Sequence, residues 1–154
     1  MADPIVVTRS IAINAPVARI TEFIIDFHNW VDWSPWEGLD PDLQRTYSGP
    51  DSGVGASYAW SGNRKAGAGN MTIEAVQPTA IDVALNFTKP FKSRSQTRFD
   101  LEPTAEGTTV TWQVRTPSSL MLKVMSIFMS LEKTIGPDLE KGLAQLKTVA
   151  ERPA

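Results

Sequence analysis

The sequence predicts an α+β domain, a curved antiparallel β-sheet of about seven strands wrapped around a long C-terminal helix, with two short helices after strand 1. Three observations carry this. Residues 120–146 repeat apolar side chains at helical spacing, segments between 43 and 115 alternate apolar with polar at period two, and turn residues separate those segments at short intervals. Alternating strands have one wet face and one face that needs cover. Only the terminal stretch is long and apolar enough to supply it.

Residues 5–13 are β-branched and apolar enough for a first strand, interrupted by Arg9 and Ser10. Asn14-Ala15-Pro16 opens a helix, with proline where its missing N–H costs nothing. Val17, Ile20, Phe23, Ile24 and Phe27 then share one face, opposite Arg19, Glu22 and Asp26. An irregular aromatic segment follows at 28–37, where Trp30, Trp33 and Trp36 recur every third position and Pro35 ends any helix before it. Strands are expected at 43–47, 54–60, 66–76 and 80–87, then around Thr97 to Leu101 and Val110 to Val114, with turns at 49–53, 62–65, 77–79, 89–90 and 103–107.

The terminal helix starts after Pro117, with Ser118 and Ser119 as N-cap candidates. Leu120, Val124, Ile127, Leu131 and Ile135 form one stripe, which Leu139, Leu143 and Leu146 continue beyond Gly136-Pro137. Met121, Met125, Phe128 and Met129 add a second stripe, so the first half is apolar almost all round and is expected to be buried on more than one side. A kink at Pro137 should separate this half from an ordinary amphipathic second half.

At 154 residues the chain is the size of one domain, taken as 1–154 without linker, repeat or low-complexity segment. A net charge of −2 argues against a nucleic-acid partner, and the lack of like-charge blocks argues against anionic membranes. No apolar run is long enough to cross a bilayer, so no integral membrane association is expected. The N-terminus lacks the pattern of a signal peptide, and a cytoplasmic location is the expectation. Disulfides and thiolate chemistry are excluded by the absence of cysteine.

A sheet curved around one helix need not close on it, and the space between them would form an elongated apolar cavity. The residues expected to line it are Trp33, Tyr58, Trp60, Phe87, Phe99, Trp112, Met121, Met125 and Phe128, the methionines adding adaptability to ligand shape. Glu74 has two readings, a wet-face residue or the polar anchor of this pocket.

Several stretches, in order, resemble the START-like, or Bet v 1-like, superfamily over essentially the whole chain. They are Asn14-Ala15-Pro16, Trp33-Ser34-Pro35-Trp36, 53–62 (GVGASYAWSG), 69–73 (GNMTI), 107–112 (GTTVTW) and 139–143 (LEKGL). The wording is similar to the bacterial branch labelled polyketide cyclase/dehydrase-like, or SRPBCC. This resemblance implies the helix-grip fold and a cavity for lipids, polyketides or other hydrophobic molecules, in proteins some of which are enzymes and many of which only bind or carry. No specific catalytic motif of the family's cyclases is matched.

The remaining chemistry is sparse. His28 is the single histidine, which rules out zinc sites of several His or Cys, and nothing in the sequence orients it for a Ser–His–Asp set. Asp40 and Asp42 fit a solvated loop better than a magnesium or calcium site. Glycine pairs 53/55 and 67/69 lie in hairpin-rich regions and not between a strand and a helix, so nucleotide motifs are absent. No cofactor or metal is expected, and no catalytic residue is assigned. The leading expectation is binding or transport of a small hydrophobic molecule. Two alternatives stand beside it: a cyclase or dehydratase using Glu74 with Tyr58 or Arg98, and an interaction module using an exposed patch at residues 30–36. Nothing in the sequence sets the oligomeric state.

Overall fold

The computed structural model describes residues 5–35, 40–63, 67–89, 92–116 and 125–152. Strand β1 (Ile5–Ile13) leads into helix α1 (Val17–Ile25) and a short 3-10 segment (Phe27–Asp32). Six further strands follow: β2 (Gln44–Ser48), β3 (Ser57–Ser61), β4 (Ala68–Gln77), β5 (Ala80–Lys89), β6 (Ser93–Thr104) and β7 (Gly107–Thr116). The chain ends in helix α2 (Met125–Ala150). All strands join one seven-stranded sheet in the order β1-β7-β6-β5-β4-β3-β2, and every neighbouring pair is antiparallel.

This is the expected architecture, with shifted boundaries. The third strand begins at Ser57 and not at residue 54, because Gly49, Gly53 and Gly55 take positive φ and build a compact loop ahead of it. The β6 strand runs on through Pro103, which the sequence assigned to a turn. Pairing with β5 stops at Asp100, so Pro103 has β7 as its only strand neighbour, and a missing N–H there breaks no ladder bond to β5. Helix α2 continues four residues past the expected end, from 146 to Ala150, and passes through Pro137 without interruption. The expected caps Ser118 and Ser119, the start of the helix at 120–124, and Trp36 lie outside the described residues.

The register sorts the strands into two faces. Val83, Thr97, Val114 and Val7 are linked across β5, β6, β7 and β1, and all are buried on the concave side. From α2, Ile135 and, beyond Pro137, Leu139, Leu143, Leu146 and Val149 reach the core. Gly142 is required at the contact: a Cβ there would sit 2.8 Å from both the Pro35 ring and the Trp112 indole.

The end of α2 is tied to the start of the fold. Arg19 donates from Nε to the Ala150 carbonyl (2.6 Å) and from a terminal nitrogen to the Arg152 carbonyl (2.9 Å), taking up acceptors that a helix end leaves open. Lys147 donates to the Ala12 carbonyl, while Glu151 accepts from the Asn14 N–H (2.7 Å) and pairs with Lys147.

The Lys147 ammonium, together with the Asn14 N–H, holds the Glu151 carboxyl below its ordinary value. A pKa lower in the folded than in the unfolded chain stabilises above the unfolded value, and that contribution is lost as pH falls through the folded one. Glu151→Gln is therefore expected to lower Tm at pH 7. The gap from wild type should narrow as pH is taken below 4.5, the ordinary value for this group, when melts are followed by circular dichroism.

Candidate functional site

The site begins with the end of α1. A helix leaves its last four carbonyls without intrahelical partners, and here each finds a different donor. The Asn29 side-chain amide donates to the Glu22 carbonyl (3.0 Å), the Trp33 indole N–H to Phe23 (2.9 Å), the Trp30 indole N–H to Ile24 (2.8 Å) and the Gly53 backbone N–H to Ile25 (3.0 Å). Two of the four donors are indoles. Satisfying the carbonyls therefore drives two large rings under the helix and into the mouth of the curved sheet.

There the rings complete an aromatic cluster. Trp30 and Trp33 lie 4.4 Å apart between centroids, and both stand edge-on to the stacked Phe99 and Trp112 of β6 and β7, themselves 4.9 Å apart. Trp33, Phe99 and Trp112 are no more than 1% exposed. The Trp112 indole N–H donates to the Thr97 hydroxyl (2.7 Å), which donates in turn to the Gln113 carbonyl (3.0 Å). This half of the concave face is filled.

The other half, over β3 to β5, carries a second aromatic row. Tyr58 and Trp60 stack at 6.1 Å, and Trp60 stands edge-on to Phe87 at 5.6 Å. Gly69 makes room for this row, since a Cβ there would meet the Trp60 ring at 2.7 Å and the Asn86 carbonyl oxygen at 2.3 Å. Phe27 links the two halves, 5.8 Å from Tyr58 and 5.4 Å from Trp30. The described α2 side chains serve the first half, reaching Arg9 and Ala12 of β1 and the region of Trp112.

The expected lining residues therefore divide. Tyr58, Trp60 and Phe87 form the row over β3 to β5 and Trp33, Phe99 and Trp112 the cluster over β6 and β7, and all but the half-buried Phe87 belong to the buried core. Met121 lies outside the described residues, as do the side chains of Met125 and Phe128, whose backbone belongs to the first turn of α2.

Two expectations need correction. Glu74 is exposed, alternating with the buried Met71 and Ile73 and so on the wet face, where the β4–β5 register also slips; it is no pocket anchor. Arg98 alternates with the core-facing Thr97 and Phe99 and so points to the convex side, bound to Asp100 (3.0 Å) and Asp82 (3.3 Å). An acid–base pair of Glu74 or Arg98 with the inward Tyr58 does not form. Nor do Trp30 and Trp33 offer an exposed patch, since both are buried.

Sequence reasoning missed two features. Asp26 does orient His28: its carboxylate accepts from the His28 backbone N–H (2.9 Å) and from ring Nδ1 (2.8 Å), and the imidazole stacks on Tyr47 at 4.0 Å. The cleft beside them, bounded by Ser48, Asp51 and Ser57, has a volume of about 90 Å³, well below the several hundred of a site for drug-sized ligands. The second feature is a set of buried hydroxyls on the concave face, Ser95, Thr97 and Thr116. Period two could have found them, because they share faces with Phe99 and Trp112. Among the described residues no group of three or more His, Cys, Asp or Glu converges as a metal site, and no helix is long and apolar enough to cross a membrane.

A long terminal helix lying in a curved antiparallel sheet with an aromatic interior defines a helix-grip protein of the Bet v 1-like class. Residues 4–151 match the family model described as polyketide cyclase / dehydrase and lipid transport, and the chain belongs to that family. No curated protein matches its sequence. Among solved structures, protein CV1439 from Chromobacterium violaceum is 15% identical with a TM-score of 0.70, the match covering 97% of this chain and all of that one. The Aha1 dimer from Colwellia psychrerythraea is 16% identical at a TM-score of 0.63, covering 95% of this chain and 96% of that one. The di-domain ARO/CYC BexL from the BE-7585A biosynthetic pathway is 15% identical at 0.72, with 98% of this chain matching 51% of that one. At these identities the likeness is one of fold.

Trp33→Phe would keep the ring in the cluster and remove the donor to Phe23. A buried carbonyl left unpaired costs about 1–3 kcal/mol. Chemical denaturation should show a loss of that size with an unchanged m-value.

Proposed function

We propose that this protein binds or carries a small hydrophobic molecule, a lipid, polyketide or similar aromatic compound, between the β3–β5 half of the concave face and the first half of α2. The observation that carries this reading is the division of the interior. One half is closed by Trp30, Trp33, Phe99, Trp112 and the second half of α2, while the Tyr58–Trp60–Phe87 row is set over Gly69 away from that plug. In the sequence, Met121, Met125, Phe128 and Met129 supply the apolar, adaptable character such a ligand needs. The family's description, which joins cyclases with lipid transport, supports a hydrophobic ligand for either activity. Binding without catalysis is favoured because Glu74 and Arg98, the acid and base candidates, both lie outside the interior.

Native mass spectrometry of freshly purified protein, followed by solvent extraction, should recover a bound apolar molecule. Trp60→Ala removes the central ring of the row. It is expected to weaken binding of a fluorescent hydrophobic probe such as 1-anilinonaphthalene-8-sulfonate by about tenfold, in keeping with an aromatic contact of this kind. A wild-type protein that binds neither an endogenous molecule nor the probe would overturn the reading.

A further inference from the structure

Where α1 gives way to the 3-10 segment, Phe27, His28, Tyr47, Ser48, Asp51 and Ser57 border the cleft of about 90 Å³. Phe27 is buried, whereas His28, Ser48 and Asp51 are exposed, so the cleft opens to solvent. One of its walls is the loop that starts at Gly49, and backbone contacts fix that loop. Gly53 donates to the Ile25 carbonyl (3.0 Å) and Gly55 to the Ile73 carbonyl (2.9 Å), while the Pro50 ring stands 3.5 Å from where a Cβ of Gly55 would lie. On another wall the imidazole of His28 is held by Asp26 at Nδ1 (2.8 Å) and by the ring of Tyr47 stacked at 4.0 Å. The cleft is therefore shaped before any ligand arrives.

The polar side-chain groups left over in this cleft can all accept. An ionised Asp26 carboxylate only accepts, so its bond to His28 Nδ1 puts the ring proton there and leaves Nε2 with a lone pair. No described residue bonds to Nε2, to the Ser48 hydroxyl or to the Asp51 carboxylate, whereas the Ser57 hydroxyl is engaged with Thr72 (3.0 Å). No lysine or arginine is among the lining residues, so an anion would meet Asp51 with nothing to neutralise it. A divalent metal has too few ligands, since no group of three or more His, Cys, Asp or Glu converges among the described residues. What fits is a compact group with a positive charge and several N–H donors. An ammonium has both, with three donors and no acceptor.

We propose that this cleft is a binding site for the ammonium group of a small organic amine. Asp51 supplies the countercharge, His28 Nε2 and the Ser48 hydroxyl accept hydrogen bonds, and Asp26 positions the imidazole. The Phe27 ring offers apolar contact to a short carbon stem. The site is separate from the hydrophobic-ligand reading above, and neither needs the other. With an exposed carboxylate as countercharge the binding is weak, with a Kd on the order of 1 mM.

The test titrates isotope-labelled protein with ethylammonium chloride at neutral pH and constant ionic strength, with ethanol as the uncharged control of similar size. Nuclear magnetic resonance follows the backbone amides of Ser48, Gly49 and Asp51 and the ring nitrogens of His28. Saturable shifts confined to this cleft with ethylammonium, and absent with ethanol, support the site. Asp51→Asn should weaken binding about tenfold, the worth of a hydrogen bond to a charged group. His28→Phe, which keeps a ring against Tyr47 and removes Nε2, should weaken it about threefold, the worth of a neutral one. Both positions are exposed, so neither variant is expected to disturb the fold. No saturable shift in wild type, shifts as large at the exposed Glu74 and Glu102, or an unchanged Kd in Asp51→Asn would each overturn the proposal. Markedly tighter binding of Nα-acetyl-lysine methylamide than of ethylammonium would overturn the assignment to a small amine in favour of a peptide lysine. None of these outcomes bears on the hydrophobic ligand, which the probe titration of the interior tests by itself.

Discussion

Four carbonyl oxygens at the end of α1 govern the interior of this protein. A nine-residue helix without a glycine or a basic side chain in its last turn has poor means of ending itself. The chain solves this by folding its own aromatic segment back, so that Asn29, Trp30 and Trp33 supply side-chain donors and Gly53 a backbone one. The consequence is tertiary. The two indoles cannot reach those carbonyls without lying across the mouth of the sheet, and in that position they find Phe99 and Trp112. Helix termination and core formation are one event here.

That event also divides the concave face into two aromatic groups. One side of the concave face is occupied by rings and by the Leu139–Leu143–Leu146 stripe, and the β3–β5 side by Tyr58, Trp60, Met71 and Leu85. Two glycines act in opposite senses on this division. Gly142 lets α2 come down onto Pro35 and Trp112, closing one side, and Gly69 lets the Trp60 ring lie flat on β4, shaping the other. Polar atoms within the closed side satisfy one another, as in the chain from Trp112 to Thr97 to the Gln113 carbonyl.

The architecture was legible because period-two alternation and the long helical stripe are strong, local signals that agree with one another. Ile81, Val83 and Leu85 all face inward as their spacing demands. What was not legible depends on contacts between distant segments. Trp33 and Trp60 look alike in sequence, yet one donates to α1 beside Phe99 and Trp112 and the other stacks with Tyr58 on β3, and only the carbonyls of α1 decide between them. Of the two readings Glu74 had, the wet-face one is observed, as alternation with the buried Met71 and Ile73 demands. His28 gained an orienting carboxylate two residues away through a tight local turn that the apolar pattern of α1 did not reveal. Residues such as Ser95 were overlooked for a simpler reason: hydroxyls on an inward face break no pattern.

The sheet is open, with β1 at one edge and β2 at the other. On the concave side of each edge strand stands an arginine, Arg9 directly across from Trp112 and Arg45 directly across from Trp60. Extending the sheet at either edge would lay a further strand beside a charged side chain on the face meant for oil. Inward charges of this kind are a known guard against edge-to-edge aggregation. In these two residues the open sheet has a means of discouraging its neighbours from supplying a further strand.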